Sequence, residues 1–284
     1  MQGMITVFWK ELADDFTSWR FIILFAIVFI AGIFTTYVAA QSIRETVIET
    51  RFVFLSLFTT GAPFSFLFFV VVLVPIVGII LGFDAINSEK NSGTLSRLLS
   101  QPVYRDAVIN GKFLAGVVTM AVMMTSLMLL VSGMGLRMIG VPPSSEEAIR
   151  LIVFLALSIV YGAFWLGLAM LFSVFLNRVA TSAMAAIAAW IFSFLFMLVF
   201  AEQPISRIFP LNLFGEAVTV LLVPGVRTLG AIAPSTSAWM IPNPLSLGQS
   251  LLIVWPHLVS IIMLTVVCFA ISYIRFMYEE IRST

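Results

Sequence analysis

Residues 84–112 read DAINSEKNSGTLSRLLSQPVYRDAVINGK, and the organisation of the chain follows from what flanks them. Before them, residues 52–83 read FVFLSLFTTGAPFSFLFFVVVLVPIVGIILGF without one charge. After them, residues 113–136 read FLAGVVTMAVMMTSLMLLVSGMGL, again uncharged. An uninterrupted apolar run of about 20 residues is the length needed to cross a bilayer as a helix. The polar stretch is therefore a connection between two membrane spans. It holds four of the chain's 15 Lys and Arg, together with the apolar residues Leu95, Leu98 and Leu99.

Working outward, the whole chain has the same character. Of 284 residues, 61% are hydrophobic and 10% charged, and mean hydropathy is +1.11. A soluble domain has about 25% charged residues. In hydrocarbon every backbone polar group needs an internal partner, which leaves helices or closed barrels. Runs this continuously apolar lack the alternation of a barrel strand. The expected fold is all-α, a polytopic membrane protein with six transmembrane helices. The net charge of +1 carries no nucleic-acid footprint, and the single cysteine, Cys268, allows no disulfide within one chain.

Residues 1–20 place Ile5, Phe8, Trp9, Leu12, Phe16 and Trp19 at helical spacing with Lys10, Glu11, Asp14 and Asp15 between them. That pattern predicts an amphipathic helix in the membrane interface. Five charges precede the first long run, unlike a cleavable leader, so the first span is expected to be retained. The spans are expected at about 21–40, 63–83, 113–136, 151–176, 179–201 and 251–274. Gly61 and Pro63 separate a short interfacial piece from the second span, Pro75 is placed to kink it, and Gly78 and Gly82 form a GxxxG pair. Ser144 with Glu147 three residues later is a capping box that opens the fourth span. Segment 202–250 has six prolines yet stays apolar, which predicts short helices lying on the extracytoplasmic surface.

Six spans put both termini on one side. With the termini inside, the inner segments hold nine Lys and Arg and the outer ones six, and all three lysines are inner. The positive-inside rule favours that orientation, with 84–112 in the cytoplasm and the chain in the cell membrane.

Enzyme chemistry finds no footing. There is no HExxH, P-loop or GxSxG, and the single histidine, His257, reads as a structural residue near a span end. No catalytic residue is expected. No span carries a charge near its middle, as a proton- or sodium-coupled carrier would, so energy for transport must come from a partner. Met120, Met124 and Met128 share one helix face, a pattern open to soft metal ligation. With no Cys or His beside them, gap-filling between helices is the stronger reading, and no metal site is expected.

The polar stretch also carries a resemblance. Asp84-x₄-Glu89-x₃-Gly93-Thr94-Leu95-x₂-Leu98-Leu99-Ser100-x-Pro102-Val103-x-Arg105, then Gly111-Lys112, is similar to the ABC-2 type permeases, and most like the branch serving nitrous-oxide-reductase copper maturation. Trp9-Lys10-Glu11-Leu12 resembles the same branch. The resemblance implies one permease domain over 1–284 of the ABC-2, type V exporter-like fold, with an elbow helix at 1–20 and a coupling segment at 84–112. It implies a separate ATPase subunit that binds ATP and Mg, since this chain has no Walker motif and no cofactor of its own. It also implies a second permease copy, with spans 1 and 5 at the interface.

The residues agree physically. Span 2 can run on as helix through Asn91, Gly93 suits a left-handed helix end, and Pro102 stops the short turn that presents Leu95, Leu98 and Leu99. Asp84, Glu89, Gly93, Thr94, Leu95, Leu98, Leu99 and Arg105 are the expected ATPase-coupling residues, with Asn177 and Arg178 a second contact. Ala180, Ala183 and Ala186 are the expected dimer-interface residues. The expected function is the permease subunit of an exporter. The alternatives are a permease transmitting force to an extracytoplasmic metal-site maturation partner without passing a substrate, and a membrane scaffold without an ATPase.

Overall fold

The computed structural model describes residues 2–45, 52–61, 65–94, 104–200, 203–226 and 244–278, and all of its regular elements are helical. In chain order they are α1 (Gln2–Thr17), α2 (Trp19–Glu45), α3 (Val53–Thr59), α4 (Phe66–Gly82), α5 (Asn87–Asn91), α6 (Arg105–Ile139), α7 (Ser145–Phe175), α8 (Val179–Phe200), a 3₁₀ turn (Pro204–Ile208), α9 (Pro210–Leu222) and α10 (Leu247–Tyr278). Six are long and apolar enough to cross a membrane: α2, α4 with its extension to Asn91, α6, α7, α8 and α10.

Helix α7 is the mast of the bundle. Its buried residues include the unbroken run from Tyr161 to Gly167, so it is enclosed on every side in its middle. It packs against α4, α6, α8, α9 and α10. The Gly78/Gly82 pair is the reason α4 comes so close. A Cβ on Gly78 would stand 2.8 Å from the Gly162 carbonyl oxygen, and one on Gly82 would stand 2.7 Å from that of Leu166. The backbones themselves touch, as small residues permit between helices in lipid.

Both helix starts that bear on the site have a local cause. Ser144 caps α7 with the predicted reciprocal bonds to Glu147. Ser18 separates α1 from α2: its Oγ accepts the Phe21 amide at 3.2 Å, so α1 is an element of its own. Ile5, Trp9, Phe16 and Trp19 point outward from the protein, while Val7 is buried against α6.

Three expectations change. Helix α4 stops at Gly82 and a turn intervenes before α5, so the span does not continue as one regular helix to Asn91. Helix α6 starts at Arg105, well ahead of the apolar run. Two short helices outside the spans are buried, while the 3₁₀ turn keeps Ile205 and Ile208 exposed. Phe54, Leu55, Leu57 and Phe58 of α3 are inside, and so is every residue of α9 except Thr219. Helix α9 is covered by α7, α10, α8, α3 and α4, not laid on a surface, and Glu216 on its polar side is met by His257 and Arg207.

Candidate functional site

The bundle has two polar ends. One gathers α1, α5, the start of α6 and the end of α7; call it the α1 end. The other gathers α3, α9 and the starts of α7 and α10; call it the α9 end.

At the α1 end, the early start of α6 puts Lys112 about two turns into a helix, with its side chain buried. Gly111 beside it admits α1: a Cβ there would lie 2.9 Å from Val7 Cγ1 and 3.2 Å from the Met4 carbonyl oxygen. Lys112 Nζ then stands 2.9 Å from Glu11 Oε1 on α1 and 2.9 Å from Glu89 Oε1 on α5. Lys10 closes the cluster, 3.0 Å from Glu11, 3.6 Å from Asp14 and 3.8 Å from Glu89. Asp84, in the turn after α4, pairs with Arg20 at the start of α2. One ammonium thus ties three elements that are distant in sequence.

The protonation of α1 follows from this crowding. Burial pushes the Glu11 carboxyl up, but Lys112 and Lys10 outweigh it and leave it below the usual value. Partial burial pulls Lys10 down, and the carboxylates of Glu11, Glu89 and Asp14 outweigh that and hold it high. At Asp15 the compensation falls short, although Lys112 pulls it down as well. Burial raises it to about 6, against the bond that Thr119 Oγ1 donates to its Oδ2 at 3.0 Å.

Helix α5 is also fastened to the end of α7. Ser173 Oγ accepts the Ile86 and Asn87 amides at 3.0 and 3.2 Å. Lys90 Nζ donates to the Val174 carbonyl at 3.3 Å, Asn87 Nδ2 to that of Leu176 at 3.5 Å and Asn91 Nδ2 to that of Asn177 at 3.0 Å. The last carbonyls of a helix have no intrahelical partners. Here α5 supplies them. Ile86 fixes the joint by packing with Ile109, Met170, Val174 and Phe276.

The predicted residues therefore divide. Asp84 and Glu89 are partly buried and paired within the chain, Asp84 with Arg20 and Glu89 with Lys112 and Lys10. Gly93 has φ +70°, the left-handed helix end expected of it, and is exposed. Thr94 is exposed, with its Oγ1 2.8 Å from Ser92 Oγ. Arg105 opens α6. Leu95, Leu98 and Leu99 lie outside the described residues. On α8, Ala180 is exposed and Ala183 half-buried, whereas Ala186 is buried within its own chain and offers nothing to a partner. Met120, Met124 and Met128 are buried in the apolar core, where the Met120 thioether fills the space left by Gly162. Among the described residues no three His, Cys, Asp or Glu are grouped to hold a metal ion.

Sequence reading did not foresee the Lys112 junction. Its signal was present, because Lys10-Glu11 and Gly111-Lys112 are complementary pairs at the edges of apolar runs, but spacing alone does not say that they meet.

At the α9 end the polar groups are fewer and more deeply buried. Arg150 is fully buried. It donates to the carbonyls of Leu221 at 2.8 Å and Leu245 at 2.7 Å, to Ser250 Oγ at 3.0 Å, and pairs with Glu146 at 2.9 Å. Glu147 accepts the Phe54 and Leu55 amides at 3.0 and 3.3 Å, which anchors α3. His257 Nε2 is 3.1 Å from the buried Glu216 carboxylate, which Arg207 also meets at 3.2 Å. Its predicted structural role fits this pairing.

Together these features define a multi-pass helical membrane protein in which α5 and the start of α6 are tied to α1 and to the central span. The chain belongs to the ABC-2 transporter family, whose model, described as "ABC-2 family transporter protein", matches residues 5–281. It is similar to the probable ABC transporter permease protein NosY of Pseudomonas aeruginosa, with 29% identity over 123 residues. That match covers 42% of this chain and 44% of the relative.

Proposed function

We propose that this chain is the permease subunit of an ATP-binding-cassette transporter, driven by a separate ATPase that binds ATP and Mg and docks on 84–112 from the cytoplasm. The termini lie on that same side of the cell membrane. The observation that carries this reading is the double fastening of α5. The Lys112 cluster links it to α1 and α6, while Ser173 and the last carbonyls link it to α7. A push on residues 92–104 is thereby delivered to α4, α6 and α7 at once. Two copies pair through the exposed faces of α2 and α8. The α8 face includes Ala180, Met184, Ile187, Ile191 and Leu195 but not Ala186.

A second reading, in which force passes to an extracytoplasmic partner and no substrate crosses, is favoured by one feature. Helix α9 is buried among α7, α10, α8, α3 and α4, so the α9 end is held by packing within the protomer.

The test is capture of the detergent-solubilised chain with whatever ATPase accompanies it. A nucleotide-binding subunit is expected, and Leu98→Asp or Leu99→Asp should release it while the chain stays folded. Capture of no ATPase by the folded wild-type chain would overturn the permease reading. Vesicle transport by the captured complex would decide against the force-only alternative.

A further inference from the structure

Pro75 lies inside α4 and has no N–H, so the Val71 carbonyl four residues earlier lacks its helical donor. In lipid such a carbonyl needs another partner. Tyr161 of α7 supplies one: its hydroxyl donates to the Val71 oxygen at 3.1 Å. Tyr161 is itself fully buried, and its ring stacks on Phe214 of α9 with centroids 4.1 Å apart and planes at 2°. Trp165 meets the same ring edge-on at 6.4 Å.

The two halves of α4 are held to α7 differently. Beyond Pro75, Gly78 and Gly82 place backbone against backbone, with no room for a side chain to reorient. Before Pro75, Phe66 and Val70 instead border two small apolar cavities shared with Met124 and Leu127 of α6. The proline therefore stands between a half clamped to α7 by its backbone and a half that borders these cavities, and a single hydroxyl bridges the missing bond between them.

We propose that Tyr161 is the keeper of a hinge at Pro75, its hydroxyl holding α4 in one bend and its ring reporting that bend to α9 through Phe214. Releasing the hydroxyl from the Val71 carbonyl frees the 66–74 half of α4 to change angle while the 76–82 half stays fixed to α7. Movement of the α1 end can in this way reach the α9 end without parting α4 from α7. The bond, the proline and the stack are properties of the isolated chain, so the hinge can fail while the permease reading stands, and the reverse.

The experiment is a double-mutant cycle on the purified chain in lipid nanodiscs, read by amide hydrogen exchange across α4. Tyr161→Phe keeps the ring and its stack and removes only the donor. It is expected to speed exchange in the 66–74 half about fivefold, the size of one hydrogen bond, and to leave 76–82 unchanged. Pro75→Ala restores the N–H that Val71 lacks. In that background Tyr161→Phe is expected to change exchange less than about twofold. Pro75→Gly, which restores the N–H and tolerates a bend, repeats the cycle if the alanine variant does not fold. Equal effects of Tyr161→Phe with and without Pro75 would overturn the proposal, since Tyr161 would then act independently of the proline. So would no effect of Tyr161→Phe in the wild-type background, or faster exchange spread evenly over both halves.

Discussion

The two ends of this bundle are both held by buried or half-buried charge, yet they are built on different principles. At the α9 end, charged side chains bond to backbone as well as to one another: Arg150 reaches two carbonyls and Glu146, and Glu147 two amides. The backbone partners have fixed positions and directions, so the end is set rigidly. In the Lys112 cluster at the α1 end, charge bonds only to charge among the contacts seen. Lys10 and Lys112 share Glu11 and Glu89, and each of the four sits on a long rotatable stem. Such a cluster holds elements together while leaving their angles adjustable. The difference separates an anchored end from a jointed one, as expected if force enters at the α1 end.

The sharpest way to break the comparison is Arg150→Met. It strands the Leu221 and Leu245 carbonyls and leaves Glu146 without its cation. A loss of about 3–5 kcal/mol is expected for removing one partner of a buried charged network. It should appear as a large drop in thermal stability of the whole chain, with exchange rising over α7, α9 and α10 together. Lys112→Met should cost less, about 2 kcal/mol, because Lys10 remains beside both carboxylates, 3.0 Å from Glu11 and 3.8 Å from Glu89. Its damage should stay local, with faster exchange in α1 and α5 and little change at the α9 end. If Lys112→Met unfolds the chain as broadly as Arg150→Met, the jointed-end description is wrong.

Gly111→Ala comes next. The new methyl presses on Val7 and on the Met4 carbonyl, and about 1 kcal/mol of lost α1 docking is expected. Proteolysis near Ser18 should quicken while the melting temperature hardly moves.

The smallest effect is titration of Asp15. Its folded value, about 6, lies above the ordinary 3.8, so the docked helix binds a proton that the undocked helix releases. Docking is then favoured at low pH and weakens as pH rises through about 6. Glu11 has the opposite sense: its contribution is present above the ordinary carboxylate value and is lost as pH falls through its lowered one. Protection of α1 amides should therefore decline as pH is raised through 6, and Asp15→Asn should flatten that decline. An unchanged profile in the variant would exclude Asp15 as its source.

Much of the architecture was legible in the chain. Uncharged runs set the number of spans, because hydrocarbon admits few alternatives to a helix of that length. Ser144 and Glu147 marked the start of α7, and Gly93 the left-handed helix end, because both are local backbone chemistry. The Ile5, Trp9 and Phe16 stripe marked α1 as a helix with an outward apolar face.

Tertiary structure decided the rest, for reasons that sequence spacing does not contain. Whether α9 lies on the protein or within it depends on what meets its polar side, where Arg207 and His257 pair with Glu216, and on the cover given by α7, α10, α8, α3 and α4. The side of Ala186 depends on how α8 is rotated against its neighbours. Glu89 and Asp84 read as coupling residues, but only the meeting of α1, α2, α5 and α6 shows that their carboxylates are engaged inside the chain. The carbonyl that Pro75 frees could be predicted from the proline alone; its donor, 90 residues away in sequence, could not. Local chemistry and solvent fix where helices run, whereas long-range polar partners are chosen by packing, which brings distant residues within hydrogen-bond reach.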